Sequence, residues 1–431
     1  MIFTEIVVDH RVGLDGRDHG PAVIRIDPSG DIVSVSDRAI APPGGELRTA
    51  IPLLTDSHAH LGLSDGIAES GDFHNLDHVD RQLRDAARFG IGHVHSLGTD
   101  QRWLSTRLLR RLRAGEPGKG AYGYSAGIGF GAVDGWPPEL TFPELRFRPT
   151  EPDDARRLVR EMSGLGVTTI KIWIDDLGGS VPKTPVAIAE SVVLEARESG
   201  IRTFAHVKNH VDAEALVDLG VDVLAHSVRD QALTPELLDM MARNGTTLIP
   251  TLSREDAELS FSMPDNPYLD NSFFRSVAGP DRLARLSALR LDFDPVDPAR
   301  RLEIALDNVA RAHSHGIAVG LGTDAGFRAK LLGFAEHREL ELLHRAGLTA
   351  EDSLRAGLEV GQRIVASALT DIVPGVPAAF FVVRGNPFDD ISATQNIDAV
   401  WLAGKTLAGT RPIVPAPSSG HSPNPLSKER L

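Results

Sequence analysis

Apolar and polar positions alternate in two different rhythms along this chain. Up to about residue 50 the apolar runs are short: Ile6-Val-Val, Ala22-Val-Ile-Arg-Ile and Ile32-Val-Ser-Val, separated by Gly, Pro and Asp. Period-two runs between turn formers predict a small antiparallel β unit. From about 51 to 370, β-branched runs alternate with stretches of helical period. Strands are predicted at 51–55, 91–97, 121–127, 168–174, 201–206, 221–226, 246–251 and 317–322. Between them, Asp153 to Met162, Ala187 to Ser199 and Ala213 to Leu219 repeat apolar residues at spacings of three and four. Eight strands separated by helical crossovers predict an α/β fold, a (β/α)8 TIM barrel, with a doubly wound open sheet as the other arrangement of that pattern.

Two stretches break the repeat. Residues 128–150 are rich in Gly, Pro and aromatics, and 252–300 form a long connection before the eighth strand. Both read as lids or binding loops. Short strands return in Ala379-Phe-Phe-Val-Val and Ala399-Val-Trp-Leu-Ala. These are expected to pair with the N-terminal strands in a small β-sandwich. The predicted domains are therefore 1–50 with 371–415, a catalytic barrel over 51–370, and a Pro/Ser-rich disordered tail over 416–431.

In a parallel barrel, reactive groups collect at the C-terminal ends of the strands. The first run, Ile51-Pro-Leu-Leu-Thr-Asp-Ser-His-Ala-His, ends in His58 and His60. Residues i and i+2 of a strand share a face, so the two imidazoles are a ready pair of metal ligands. Alone, such a pair is more often structural. The fourth strand carries Lys171 among β-branched and aromatic neighbours, where an uncompensated ammonium is costly. The fifth ends in His206, the sixth in His226 and the eighth in Asp324. Five strand ends thus present metal-competent groups on one rim.

Composition narrows the chemistry. The chain of 431 residues has 42% apolar and 24% charged residues and a net charge of −14. An acidic surface argues against nucleic acid or an anionic membrane as partner. No apolar run approaches the roughly 18 residues of a spanning helix, and Met1-Ile-Phe-Thr-Glu-Ile lacks the basic-then-apolar pattern of a signal peptide. A cytoplasmic protein acting on a small molecule is expected, as a possible homo-oligomer. With no cysteine, thiolate ligands are excluded. Lysine is scarce, seven against 38 arginines, which sets Lys171 apart.

Asp-Ser-His58-Ala-His60, Lys171, Ala-His206, Ala-His226-Ser and Gly-Thr-Asp324-Ala-Gly together resemble the amidohydrolase superfamily. Arg345-Ala-Gly-Leu-Thr-Ala-Glu-Asp-Ser-Leu resembles the helix after strand eight in these enzymes, and Val383-Arg-Gly-Asn-Pro-Phe-Asp-Asp-Ile their terminal β domain. The resemblance covers about residues 1–410 and is strongest to imidazolonepropionase-like and prolidase-like members. It implies two divalent ions, zinc by default with manganese, iron or cobalt as alternatives. His58, His60 and Asp324 would hold one, and His206 and His226 the other. Lys171, carboxylated by carbon dioxide, would bridge them. Asp324 would act as general base and acid for a metal-bridging hydroxide that hydrolyses an amide C–N bond. An N-acyl amino acid, a dipeptide or a cyclic amide would be the substrate. The same site could serve a lactonase, a phosphotriesterase or a decarboxylase, and a non-catalytic binding barrel is the further alternative. A deaminase-like His-x-x-Glu is absent, because His206 is followed by Val-Lys-Asn-His. Candidate substrate contacts are His95, Tyr124, Trp136, Arg229 and Arg254, the two arginines by bidentate grip of a carboxylate.

Overall fold

The structure, a computed structural model, describes residues 3–37, 46–117, 120–137, 146–292, 294–367 and 370–407. The predicted disordered tail lies outside the described residues.

The terminal strands form two sheets with a shared interior. Thr4–Val8, Ala22–Ile26 and Ile32–Asp37 make an antiparallel sheet. Arg48–Pro52 pairs antiparallel with Phe380–Arg384, which pairs in turn with Ile397–Leu402. The ends of the chain are thereby joined, as the short C-terminal runs predicted. Alternation then sorts the side chains. Ala50, Phe380, Val382, Ala399 and Trp401 meet Ile6, Ile24 and Ile32. Ile51, Phe381, Val383, Val400 and Leu402 face the other way, into the main core.

The first predicted strand, 51–55, is in fact two. Arg48–Pro52 belongs to the terminal sheet and Leu54–Ala59 to the parallel one. Pro52 has no N–H to continue a ladder. The chain changes partner at once: Leu53 N donates to Ala379 O and Leu54 N to Gly90 O.

Parallel strands follow the predicted order but run as two sheets. Leu54–Ala59, Ile91–Ser96 and Tyr122–Ser125 form one. Arg146–Phe147, Gly129–Phe130, Thr169–Trp173, Arg202–His206, Val223–Ala225 and Thr247–Ile249 form the other, in that spatial order. The eighth predicted strand, 317–322, makes no regular ladder. It bridges Leu248 through Val319, and Ser57 N donates to Leu321 O, so it links the two sheets on one side. Gly320 and Gly322 explain the irregularity. A Cβ on either would lie within 2.5 Å of a side chain, of Ile364 and Ile249 respectively, so the segment is thin and poorly fitted to regular pairing. On the other side, Tyr122–Ser125 has no ladder to Gly129–Phe130. Among the described residues a complete ring of strand pairing is therefore not seen.

The connection over 252–300 is helical rather than an open loop. Leu252–Ser262 is followed by Ser272–Ser287, broken at Gly279-Pro280, and then by Val296–Ser314. Phe261, Tyr268, Phe273, Phe274 and Phe334 give it an aromatic core of its own. Among the described residues no helix is long and apolar enough to cross a membrane.

Phe380 is fully buried and stacks on Trp401 with ring centroids 4.9 Å apart. Phe380→Ala is expected to lower stability by about 3–5 kcal/mol, read as a fall in the urea midpoint. A loss below about 1 kcal/mol would mean that the interior between the terminal sheets is not closed.

Candidate metal centre

The end of strand Leu54–Ala59 is fastened to the segment after Gly322. Asp56 Oδ1 accepts from His58 N at 3.0 Å and from Thr323 N at 3.2 Å, and Asp56 Oδ2 accepts from Thr323 Oγ1 at 2.5 Å. Burial pushes the Asp56 carboxyl up to about 7. Thr323 N and Asp324 N both donate to His58 O, and His60 N donates to Ala325 O. Asp324 adopts φ 58°, a left-handed conformation that is costly for a residue with a Cβ. Gly326, at φ 96°, lies so close to His60 that a Cβ would sit 1.8 Å from the His60 carbonyl oxygen. Only glycine fits there.

This join brings three ligand-type groups together. His60 Nε2 lies 3.0 Å and His58 Nε2 3.3 Å from Asp324 Oδ1. One donor atom from each residue falls within 4.8 Å of the others, a spacing suited to a metal ion. Burial lowers the pKa of both histidines, that of His58 well below its usual value. Neutral imidazole is the ligating form. Outer contacts fix the rings: His60 Nδ1 pairs with Thr99 Oγ1 at 2.8 Å, and His226 Nδ1 with Thr251 Oγ1 at 2.7 Å. Such bonds aim the Nε2 atoms inward. The buried His58 Nδ1, by contrast, has no hydrogen-bond partner among the described residues.

The remaining predicted ligands stand alongside. The His226 ring lies 4.6 Å from that of His58 and 4.5 Å from that of His206. Burial pulls His206 down to about 4 and His226 well below its usual value. Like Asp324, His226 has positive φ, 84°. Lys171 is fully buried, with Nζ 3.5 Å from His58 Nε2 and 5.9 Å from the Trp173 ring centroid. No carboxylate among the described residues lies within ion-pair distance of Lys171, and burial pushes its amine down to about 7. Gly98 makes room for it: a Cβ there would fall 2.5 Å from Lys171 Cβ.

Five of the six, all but Lys171, line a cavity of about 280 Å³. Trp136 and Arg254 line it too, as predicted substrate contacts. Arg254 is already occupied: Nε donates to Asp324 Oδ2 at 3.1 Å, Nη2 meets Glu258 at 3.1 Å, and Nη1 pairs with Glu255. Burial raises the Asp324 pKa, but hydrogen bonds from His58 and His60 and the electrostatic influence of His226 and His58 outweigh it and leave the carboxyl well below the usual range.

The other predicted contacts sit elsewhere. Arg229 is buried, donating to Val207 O and Ser227 O and pairing with Glu255 at 3.0 Å. It braces the same ion lattice from behind. His95 is bonded to Ser57 O and Thr169 Oγ1 in the interior. Tyr124 meets His93 at 3.1 Å and lines a separate cavity of about 440 Å³.

Sequence reasoning missed several neighbours. Asp175 lies 3.3 Å from His206 Nε2, two residues beyond strand Thr169–Trp173, where a reading of acids just past each strand would have found it. Arg146, Glu258, Phe327 and Lys330 also line the cavity; Arg146 and Glu258 lie on a short strand and a helix within the two stretches read as loops, and Phe327 and Lys330 in the irregular segment after Asp324.

No family model matches the sequence, and no curated protein matches it. Solved structures do match in fold. A Xaa-Pro dipeptidase with bound methionine in the active site superposes with TM-score 0.69 at 19% identity, covering 94% of this chain and 100% of that one. An amidohydrolase gives 0.67 at 20%, covering 95% and 100%. A prolidase complexed with N-methylphosphonate-L-proline gives 0.68 at 17%, covering 94% and 99%. The chain therefore shares the fold of these solved structures over nearly its whole length, with parallel sheets and a small terminal sheet.

Asp100, beside Thr99, tests the electrostatics of this wall. It is fully buried, accepts from Ser96 Oγ at 2.6 Å and Ser125 Oγ at 2.5 Å, and burial raises it from 3.8 to about 7. The folded state thus holds a proton that the unfolded chain releases, so stability falls as pH rises from about 4 to about 7 and levels off above. The shift corresponds to about 4 kcal/mol. In Asp100→Asn that part of the decline is expected to disappear, leaving a variant more stable than the parent at pH 8. Identical pH–stability curves for the two proteins would contradict it.

Proposed function

We propose that this chain belongs to the amidohydrolase superfamily and hydrolyses an amide C–N bond in a small molecule at a binuclear metal site. The observation that carries this reading is the convergence of four neutral imidazoles, one ionised carboxylate and one buried lysine without a carboxylate partner. In the same reading the parallel strands form a closed (β/α)8 barrel over 51–370, and 1–50 with 371–415 form the small β domain.

The residues fit two divalent ions. His58, His60 and Asp324 would hold one, and His206 and His226 the other. Lys171 would bridge them after its amine adds to carbon dioxide and loses a proton. As an ammonium the lysine has no acceptor; as a carbamate it offers two anionic oxygens. When bound, the ions supply Lewis acidity and bring a water's pKa near neutrality. Zinc suits the His and carboxylate donors, and manganese, iron or cobalt would also be accepted.

The chain's own part is proton transfer and orientation. Asp324, kept ionised and turned by Arg254, takes a proton from the attacking water as the C–O bond forms. It returns that proton to the nitrogen as the C–N bond breaks. Trp136, Trp173 and Phe327 exclude solvent on the apolar side. The cavity, about 280 Å³, lies near the low end of ligand sites, roughly 300–1,000 Å³. Two of the matched structures hold amino-acid ligands, methionine and a phosphonate derivative of proline. An N-acyl amino acid, dipeptide or cyclic amide fits that size.

Metal analysis of gently purified protein should find about two ions per chain, and chelation should abolish hydrolysis until zinc is restored. Lys171→Ala is expected to lose both metal and activity, with partial recovery in added short-chain carboxylic acids. A panel of amides, lactones and phosphotriesters identifies the bond. Metal-free protein that still turns over an amide, or Lys171→Ala with unchanged metal content, would overturn the proposal.

Thr99→Val removes the outer bond to His60. It is expected to weaken metal binding by about 10–100-fold, measured by competition with a chromogenic chelator. Unchanged affinity would mean that His60 is oriented by its other contacts.

A further inference from the structure

A cleft larger than the metal cavity lies outside the metal centre. It encloses about 620 Å³ between helix Leu76–Arg88 and the second half of the broken helix Ser272–Ser287. Nothing in the hydrolytic reading uses it. Its volume falls within the roughly 300–1,000 Å³ range of small-molecule sites.

Its charge runs against that of the chain. Five cationic side chains line it, Arg81, Arg84, Arg282, Arg285 and Lys330, against three carboxylates, Asp65, Asp85 and Asp281. The whole protein has net charge −14. Two of the acids are committed: Asp85 pairs with Arg282 at 3.1 Å and Asp65 with Arg285 at 2.7 Å. Those pairs fix two guanidinium groups on one wall. On the facing helix, Arg81 and Arg84 have no carboxylate partner within ion-pair distance among the described residues. Spaced by three, they share one helical face.

Arg81 is also held in place. Its Nη2 donates to His78 Nδ1 at 3.2 Å, and His78 Nε2 donates to Ser64 O at 2.9 Å. His78 is itself buried. The remainder of the Arg81 fork is open to the cleft. The break at Gly279, with φ 70° and ψ 166°, turns the following segment so that Arg282 and Arg285 line the opposite side. Lys330 lines both this cleft and the metal cavity, so the two share a wall.

We propose that this cleft is a binding site for a small organic dianion, a phosphate monoester or a dicarboxylate, gripped chiefly by Arg81 and Arg84. Planar guanidinium forks match both phosphate and carboxylate oxygens. Lys330 pairs with Glu258 at 3.8 Å, so the lining keeps a surplus of one positive charge, and it is the two guanidinium forks of Arg81 and Arg84, without carboxylate partners among the described residues, that match a dianion's oxygens. This inference stands independently of the hydrolytic reading.

The test is calorimetric titration of the metal-loaded protein with inorganic phosphate in one arm and succinate in the other. Anions also bind metals, so the comparison that decides is between the parent and the double variant Arg81→Ala, Arg84→Ala. Both arginines are at least partly exposed, and a thermal melt checks that the variant is folded. One probe should saturate the parent in the millimolar range, and the double variant should bind it about tenfold or more weakly. The pair Arg81→Lys, Arg84→Lys should keep more of the affinity. The stronger arm tells phosphate from carboxylate. Equal affinity in parent and double variant, or no saturable binding of either probe up to about 20 mM, overturns the proposal.

Discussion

The carboxylate of Asp56 is the contact on which this site depends. It is buried beneath the rim and ties the backbone of the first parallel strand to that of the segment after Gly322. The segment after Gly322 is not a regular strand at that point, so a few backbone bonds, from Thr323 N and Asp324 N to His58 O and from His60 N to Ala325 O, stand where a ladder would run. Two hydrogen bonds from Thr323 to the Asp56 carboxylate reinforce them, and a third, from His58 N, fixes the strand end itself. They set His58 and Asp324 within contact of each other although 266 positions separate them. The left-handed turn at Asp324 and the absence of a Cβ at Gly326 are then requirements of the join.

Burial sets the charge state of everything around this join. Four imidazoles are kept neutral by desolvation, and a lysine is pulled toward neutrality by the same cause. Against them stands one carboxylate that remains ionised, because two imidazoles and Arg254 surround it. Without further charge the cluster is nearly neutral and rich in lone pairs. That is the electrostatic setting in which divalent cations are bound rather than repelled. Arg254 does not spoil it, because Glu255, the next residue, and Glu258, one turn further along the same helix, compensate its charge.

Much of this was legible in the sequence, and the reason is periodicity. Strand ends fall where β-branched runs stop, so His58, His60, His206 and His226 could be placed on one rim without coordinates. Lys171 declared itself by standing in an apolar strand. Beyond the strand ends the sequence was less informative: Trp136 and Arg254 do line the cavity, while His95, Tyr124 and Arg229 sit elsewhere. Arg229 and Arg254 follow strands on the correct side, and sequence position offers them equally as substrate contacts. Only the fold shows that Glu255, Glu258 and Arg301 draw them into one ion lattice. His95 obeys strand alternation and points inward, but it lies at the level of Ser57 O and Thr169 Oγ1, below the cavity. Alternation gives the face of a strand and not the depth. The partner switch at Leu53 was hidden for a related reason: Ile51 to Thr55 is one apolar run, and only Pro52 hints that its two halves belong to different sheets.

The helical connection over 252–300 has a larger part than a loop would have. Its first helix supplies Arg254, Glu255 and Glu258, which reach the metal centre and orient Asp324. Its second, broken helix supplies Arg282 and Arg285, which form one side of the basic cleft. An aromatic core of Phe261, Tyr268, Phe273 and Phe274 binds the two helices into one body with Phe334. Side chains at both cavities are thus mounted on a single packed unit instead of on independent loops. Packed interiors transmit displacement because they have little free volume to absorb it. Arg282 and Arg285, fixed by Asp85 and Asp65, are therefore carried by the same packed unit that holds Arg254 against Asp324, and Lys330 lines both cavities.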